Sequence, residues 1–137
     1  MTYIDYRLYL LNAEVLLAAW EIDTSDEYDE WFENLDNTEK TDVLAAAIVL
    51  QQKGPGLGRP YVDTVDESTY PNMKELRVQS AGNPYRIFFA FDPRRHGMLL
   101  CGGRKDGAGD KKFYKSEIKK ADKIYKKHLD SLKDGKK

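Results

Sequence analysis

Residues 73–112 read MKELRVQSAGNPYRIFFAFDPRRHGMLLCGGRKDGAGDKK, and their alternation decides the fold. Successive side chains of a strand point to opposite faces. In MKELRVQ, Leu76 and Val78 share one face, while Glu75, Arg77 and Gln79 share the other. In YRIFFAFD, Tyr85, Ile87, Phe89 and Phe91 oppose Arg86, Phe88 and Ala90. Met98–Gly103 is apolar without alternation, as in a strand that is central or covered on both faces. Ser80–Pro84, with the permissive backbone of Gly82, and Asp92–Gly97 supply the turns. The expected fold class is α+β: a small antiparallel meander with helices on one face. Arg77, Arg86, Arg104 and Lys105 lie in these strands or just past their ends. A strand normally spends its side chains on a core or on neutral solvent contact. Clustered guanidinium and ammonium groups therefore suggest a surface that holds an anion.

Upstream, Trp20–Asp23 suits a short first strand, and Thr24–Glu27 has the spacing of a capping box. Tyr28, Trp31, Phe32 and Leu35 form one apolar helical stripe. Asp36 and Asn37 break that helix. Asn37 or Thr38 caps the next, which runs through Val43, Leu44, Ala47, Ile48 and Leu50 to Gln52. Gly54 fits the left-handed position past its end, and Pro55 prevents continuation. Residues 24–53 thus read as a helical hairpin. GPGLGRP, residues 54–60, lacks the Gly-Lys-Ser/Thr ending of a phosphate loop and reads as a connector. Tyr61–Val65 is irregular or briefly extended.

Downstream, a flexible Asp106–Gly109 precedes a long helix from Asp110 or Lys111. Its apolar stripe is Tyr114, Ile118, Ala121, Tyr125 and Leu132, and lysines cover the rest. Leu8, Leu11, Val15 and Ala18 give residues 1–19 helical spacing. That run is too short and polar to span a membrane, and Glu14 interrupts it where a secretory signal would be apolar. The expected organisation is a helical extension over 1–19, a domain over 20–132 and a disordered tail over 133–137.

The 137 residues suit one domain with a real core. The net charge of −1 hides an asymmetry: residues 1–40 carry −9, residues 41–73 carry −2 and residues 74–137 carry +10. A basic half can bind polyanions although the whole is near neutral, unless the halves simply neutralise each other across the fold. The single cysteine, Cys101, excludes an internal disulfide framework, and the two distant histidines disfavour a zinc site. No metal or cofactor is expected, and a reducing cytoplasm fits.

A strand, a helical hairpin, a meander and a basic C-terminal segment follow in the order of the RelE/ParE toxin superfamily. The chain resembles its HigB-like, phage Gp49-type branch over residues 20–132. WEIDTSDEYDEWFENL (20–35), GPGLGRPYVD (54–63), PNMKELRV (71–78), PYRIFFAFD (84–92), PRRHGMLLCGG (93–103) and KKFY (111–114) carry the resemblance. It implies the toxin of a type II toxin–antitoxin system, partnered by an Xre-type helix-turn-helix antitoxin. The implied activity is ribosome-dependent endoribonuclease cleavage of messenger RNA, which inhibits translation. A gyrase poison on the same fold, and a non-enzymatic phage-derived binding module, are the alternatives.

RNA is cut without metal when its 2′-hydroxyl attacks the adjacent phosphate, which needs a proton acceptor, a proton donor and a stabiliser of negative charge. The resemblance implies that Arg86 binds the scissile phosphate; a structural ion pair is the alternative. Arg77 is either a second clamp or the partner of Glu75 or of an acidic helix residue. Lys105 is the candidate transition-state cation. Tyr114 either serves acid–base or stacking work or packs in the core. Clustered cations would lower a lysine or tyrosine pKa. Lys74, Arg104, Lys111 and Lys112 are candidate RNA-backbone contacts. His96 reads as a surface residue and His128 as a helix-end charge; neither matches the position at which some relatives use histidine.

Overall fold

Both faces of one strand, β4 (Asn83–Phe91), are apolar, and the architecture follows from covering them. The computed structural model describes residues 19–105 and 110–135. β3 (Lys74–Ser80) and β5 (Gly97–Arg104) flank β4 antiparallel, forming the expected meander. β2 (Val62–Thr64) adds antiparallel to β3, and β1 (Ile22–Thr24) adds parallel to β5. The result is a mixed five-stranded sheet of order β1-β5-β4-β3-β2.

Helices α1 (Asp26–Glu33) and α2 (Asn37–Lys53) form the hairpin, and α3 (Asp110–Lys133) closes the chain. The hairpin packs with Leu76, Ile87 and Phe89, whereas α3 packs with Phe88, Ala90 and Leu100. The expectation of helices on one face is therefore corrected: the sheet is sandwiched. Phe88 and Phe89 point to opposite sides and both are buried, each worth about 1.5–3 kcal/mol. A single helical layer would leave one of them in water.

The caps fall one residue from their expected places. Ser25, not Thr24, caps α1: its Oγ accepts from the Tyr28 N–H at 2.9 Å and donates to Leu100 O of β5 at 2.6 Å. Asp36 caps α2 reciprocally with Glu39, because its carboxylate sits three residues before that partner. Gly54 has φ 65°, and a Cβ there would meet the Trp20 indole at 2.3 Å.

β5 carries a bulge. Phe88 pairs with Cys101 and Phe89 with Leu99, so Leu100 is left over, and Leu100 and Cys101 both enter the α3-side core. Gly102 then faces the Trp31 ring of α1, where a Cβ would come within 2.6 Å. The Cys101 Sγ lies 3.8 Å from Glu117 O of α3, and burial, with the Glu117 charge second, pushes its pKa up to about 12.

Beyond β4, Asp92 forms the turn and also ties down α3. Its buried carboxylate accepts from His128 Nε2 at 2.8 Å, Arg94 Nη2 at 2.8 Å and the His96 N–H at 3.1 Å. Arg94 and His96 Nδ1 also reach Asp23 of β1, at 3.2 and 3.1 Å. His128 is thus a buried partner of Asp92 rather than an exposed helix-end charge, and His96 is half-buried and paired. Most of the expected extension over 1–19, the expected flexible loop 106–109 and the last residues of the tail lie outside the described residues. Among the described residues, no helix is long and apolar enough to cross a membrane.

Burial pushes the Asp92 pKa up, but hydrogen bonds from His128, Arg94 and the His96 N–H outweigh it and hold the carboxyl below its ordinary value. Removing one donor by His128→Ala is expected to lower the unfolding free energy by about 1–3 kcal/mol in urea titrations. Asp92's folded pKa lies below its unfolded one. Its contribution is therefore complete above the ordinary aspartate value of about 3.9 and vanishes as pH falls through the folded value. Stability measured across that acid window should fall less in Asp92→Asn than in the wild type.

Candidate functional site

On the α3 face, strand register places Arg77 directly opposite Arg86. Two facing guanidiniums repel, and Glu75, 5% exposed, lies against both. Arg77 Nε donates to Glu75 Oε2 at 3.2 Å, and Arg86 Nε stands 3.7 Å from Oε1. Tyr114 Oη donates to that same Oε1 at 2.6 Å and accepts from Arg86 Nε at 3.2 Å. Arg86 Nη1 donates to Tyr85 O at 3.0 Å. Arg77 also reaches Asp63 of β2 at 3.2 Å, as does Arg59. Glu75, Arg86 and Tyr114 thus close a triangle of polar contacts, with Arg77 on its open side.

The start of α3 delivers Tyr114 to this triangle. The ring rests edge-on against Phe88, with centroids 6.0 Å apart. Lys105, past β5, lies 5.9 Å from the Tyr114 ring centroid and 3.5 Å from Asp110 Oδ2. Burial raises the Tyr114 pKa, the hydrogen bond to Glu75 raises it further, and the opposing effect of Arg86 is smaller. The phenol is therefore held protonated at neutral pH and is suited to donate a proton. Arg86 does lower the Tyr114 pKa, as clustered cations were expected to, but burial first and then Glu75 outweigh it. An open cleft of about 420 Å³ lies alongside, with Asp66, Glu67, Glu75, Asp110, Lys111 and Tyr114 among its lining. Its rim is more acidic than the sequence asymmetry suggests.

Residues 30–126 match the family described as Phage derived protein Gp49-like (DUF891). The chain is 42% identical over 136 residues to a candidate toxin of Mycobacterium tuberculosis, HigB2, covering 96% of this chain and 67% of that protein. It is 46% identical over 96 residues to a second candidate toxin of that organism, HigB3, covering 70% of this chain and 82% of that protein. The chain belongs to the Gp49-like family of HigB-like toxins.

In this HigB-like toxin, Arg77, Arg86, Lys105 and Tyr114 gather on one face of the sheet. Lys111 lines the cleft, and Lys112 is exposed on the first turn of α3. Lys74 and Arg104 are not brought to the cluster. Lys74 shares the strand parity of Leu76 and turns to the hairpin side, where its Nζ donates to Pro55 O at 3.4 Å. Arg104 pairs in register with Tyr85, and its charge acts on Glu39 and Tyr85 of that side. Arg77 keeps both of its expected possibilities, since it is ion-paired and still about one-third exposed.

Sequence reasoning took Glu75 only as a possible partner of Arg77, a pairing present at 3.1 Å, and not as a site residue. Its shared face with Arg77 was the available signal. Its contacts with Arg86 and Tyr114 depend on register and on where α3 docks. Glu75→Ala would leave Arg86 facing Arg77 without the carboxylate between them, Asp63 remaining for Arg77 alone, and urea unfolding should show a loss of about 3–5 kcal/mol. Glu75→Gln, which keeps an acceptor for Tyr114, should lose less.

Proposed function

We propose that this HigB-like toxin is the toxin of a type II toxin–antitoxin pair and cuts messenger RNA on the ribosome through metal-independent attack of the 2′-hydroxyl. The observation that carries the reading is the mutual contact of Glu75, Tyr114 and Arg86 beside an open cleft. Glu75, an acceptor-only group when ionised, takes the 2′-hydroxyl proton. Tyr114, its pKa held up, gives a proton to the leaving 5′-oxygen. Arg86 and Arg77 present guanidinium forks to the phosphate oxygens, and Lys105 adds positive charge next to Tyr114. Phosphate entry exchanges part of the Arg–Glu75 contact for Arg–phosphate contact. The working partners in this reading are the ribosome with its message and an Xre-type helix-turn-helix antitoxin, and the setting is the cytoplasm.

One observation favours the gyrase-poisoning alternative. Arg86 is already satisfied within the protein, and Asp66, Glu67 and Asp110 line the cleft, so a phosphate meets competition there.

Controlled expression in bacteria, followed by mapping of message 5′ ends, separates the readings. The nuclease reading expects new in-frame cuts within translated regions, absent in folded Arg86→Ala. Glu75→Gln and Tyr114→Phe should each slow cleavage by about 10²–10⁴-fold. Full toxicity in folded Arg86→Ala would sink the phosphate role. Growth arrest with intact messages and a DNA-damage response would transfer the assignment to gyrase.

A further inference from the structure

α3 carries a charged feature that the cleft does not use. Its inward side, with Ile118, Ala121, Ile124, Tyr125 and His128, is buried. At 3.6 residues per turn, the opposite side collects Lys112, Lys115, Lys119, Lys123, Lys126 and Lys133, all exposed. Two acids stand at the C-terminal end of that side: Asp130, which accepts from Lys126 at 2.8 Å, and Asp134 just past the helix, which lines one groove with Lys123, Lys126 and Lys127. The acids on the flanks are engaged elsewhere. Asp122 accepts from Ser68 Oγ and the Thr69 N–H, and Glu117 pairs with Lys120. Among the described residues, Lys112, Lys115, Lys119 and Lys123 have no ion-pair partner.

A face that needs only water does not call for this pattern. Lys111, Lys115, Lys119, Lys123 and Lys127 stand at successive i,i+4 positions, where like charges destabilise a helix and alternating glutamates would have stabilised it. The ridge from Lys112 to Lys133 is roughly 32 Å long at 1.5 Å per residue, so a partner that fills it is negative and stiff over that distance. α3 contains no arginine, asparagine or glutamine with which to read base edges in two-point fashion. Lysine ammonium groups are point charges on flexible stems, suited to a sequence-independent backbone. The ridge also starts at the cleft, where Lys111 and Tyr114 stand.

We infer that the outward lysine ridge of α3 docks along the sugar–phosphate backbone of double-stranded RNA. The inference rests on the nuclease reading of the cleft and extends it: the cleft takes the single-stranded message, and the ridge holds paired RNA of the ribosome. A-form RNA keeps its base edges out of reach in a narrow major groove and offers phosphates and 2′-hydroxyls instead, which is what a lysine-only ridge engages.

The test measures binding of the full chain to a fully paired RNA duplex, across a salt series, by fluorescence anisotropy. Combined Lys115→Gln, Lys119→Gln and Lys123→Gln should weaken duplex binding about tenfold or more at low salt. The slope of log affinity against log salt should fall by about 3, one for each lysine. Thermal unfolding of this variant should occur at the same or a higher temperature, because like-charge repulsion is removed, so lost binding is not lost fold. Duplex affinity and salt slope equal to wild type would overturn the ridge. So would equal losses on duplex and single-stranded RNA, or a loss confined to a polyglutamate probe, which would assign the ridge to an acidic protein surface. Failure of the cleft reading looks different: messages stay intact in cells, while duplex binding still depends on these lysines.

Discussion

β4 has no face to give to water, and that constraint shapes the molecule. Ile87 and Phe89 require a cover on one side, and Phe88 and Ala90 on the other. The hairpin meets the first need and α3 the second. Because α3 must lie on the Phe88 side, it carries Tyr114 to the sheet face where Glu75, Arg77 and Arg86 emerge. The candidate site is therefore a by-product of core burial. The apolar half of an alternating strand positions the helix, and the polar half at the strand's other end meets what the helix brings.

Much of this was legible in the sequence. The alternation in residues 73–92 is enough to place Arg77 and Arg86 on one face and Leu76, Ile87 and Phe89 on the other. The same parity sets Lys74 with Leu76, and the two-sided pattern of β4 calls for two helical layers, but the expectations of Lys74 as an RNA contact and of helices on one face left both signals unused. Other features were beyond sequence reasoning. The bulge at Leu100 shifts phase inside a run that is apolar at every position, so no pattern marks it. His128 and Asp92 meet across 36 residues through the docking of a helix. The triangle around Glu75 requires strand register and helix position together.

The charge asymmetry between the chain's halves is resolved locally rather than by one broad basic surface. Within the cluster each cation has an anion nearby: Glu75 and Asp63 for the arginines, Asp110 for Lys105. Uncompensated charge appears instead along the outer side of α3. The buried, acid-balanced region suits proton transfer, where direction and basicity matter. The open lysine side suits long-range attraction, where only sign and extent matter.

Cys101 turns this architecture into a reporter of its own motion. Its thiol is sealed beneath α3 and held protonated by burial, and the thiolate is the form that reacts with alkylating reagents. Labelling must then wait for the helix to lift from the sheet. The chain's one cysteine thereby becomes a built-in clock whose modification rate counts excursions of the helix that supplies Tyr114.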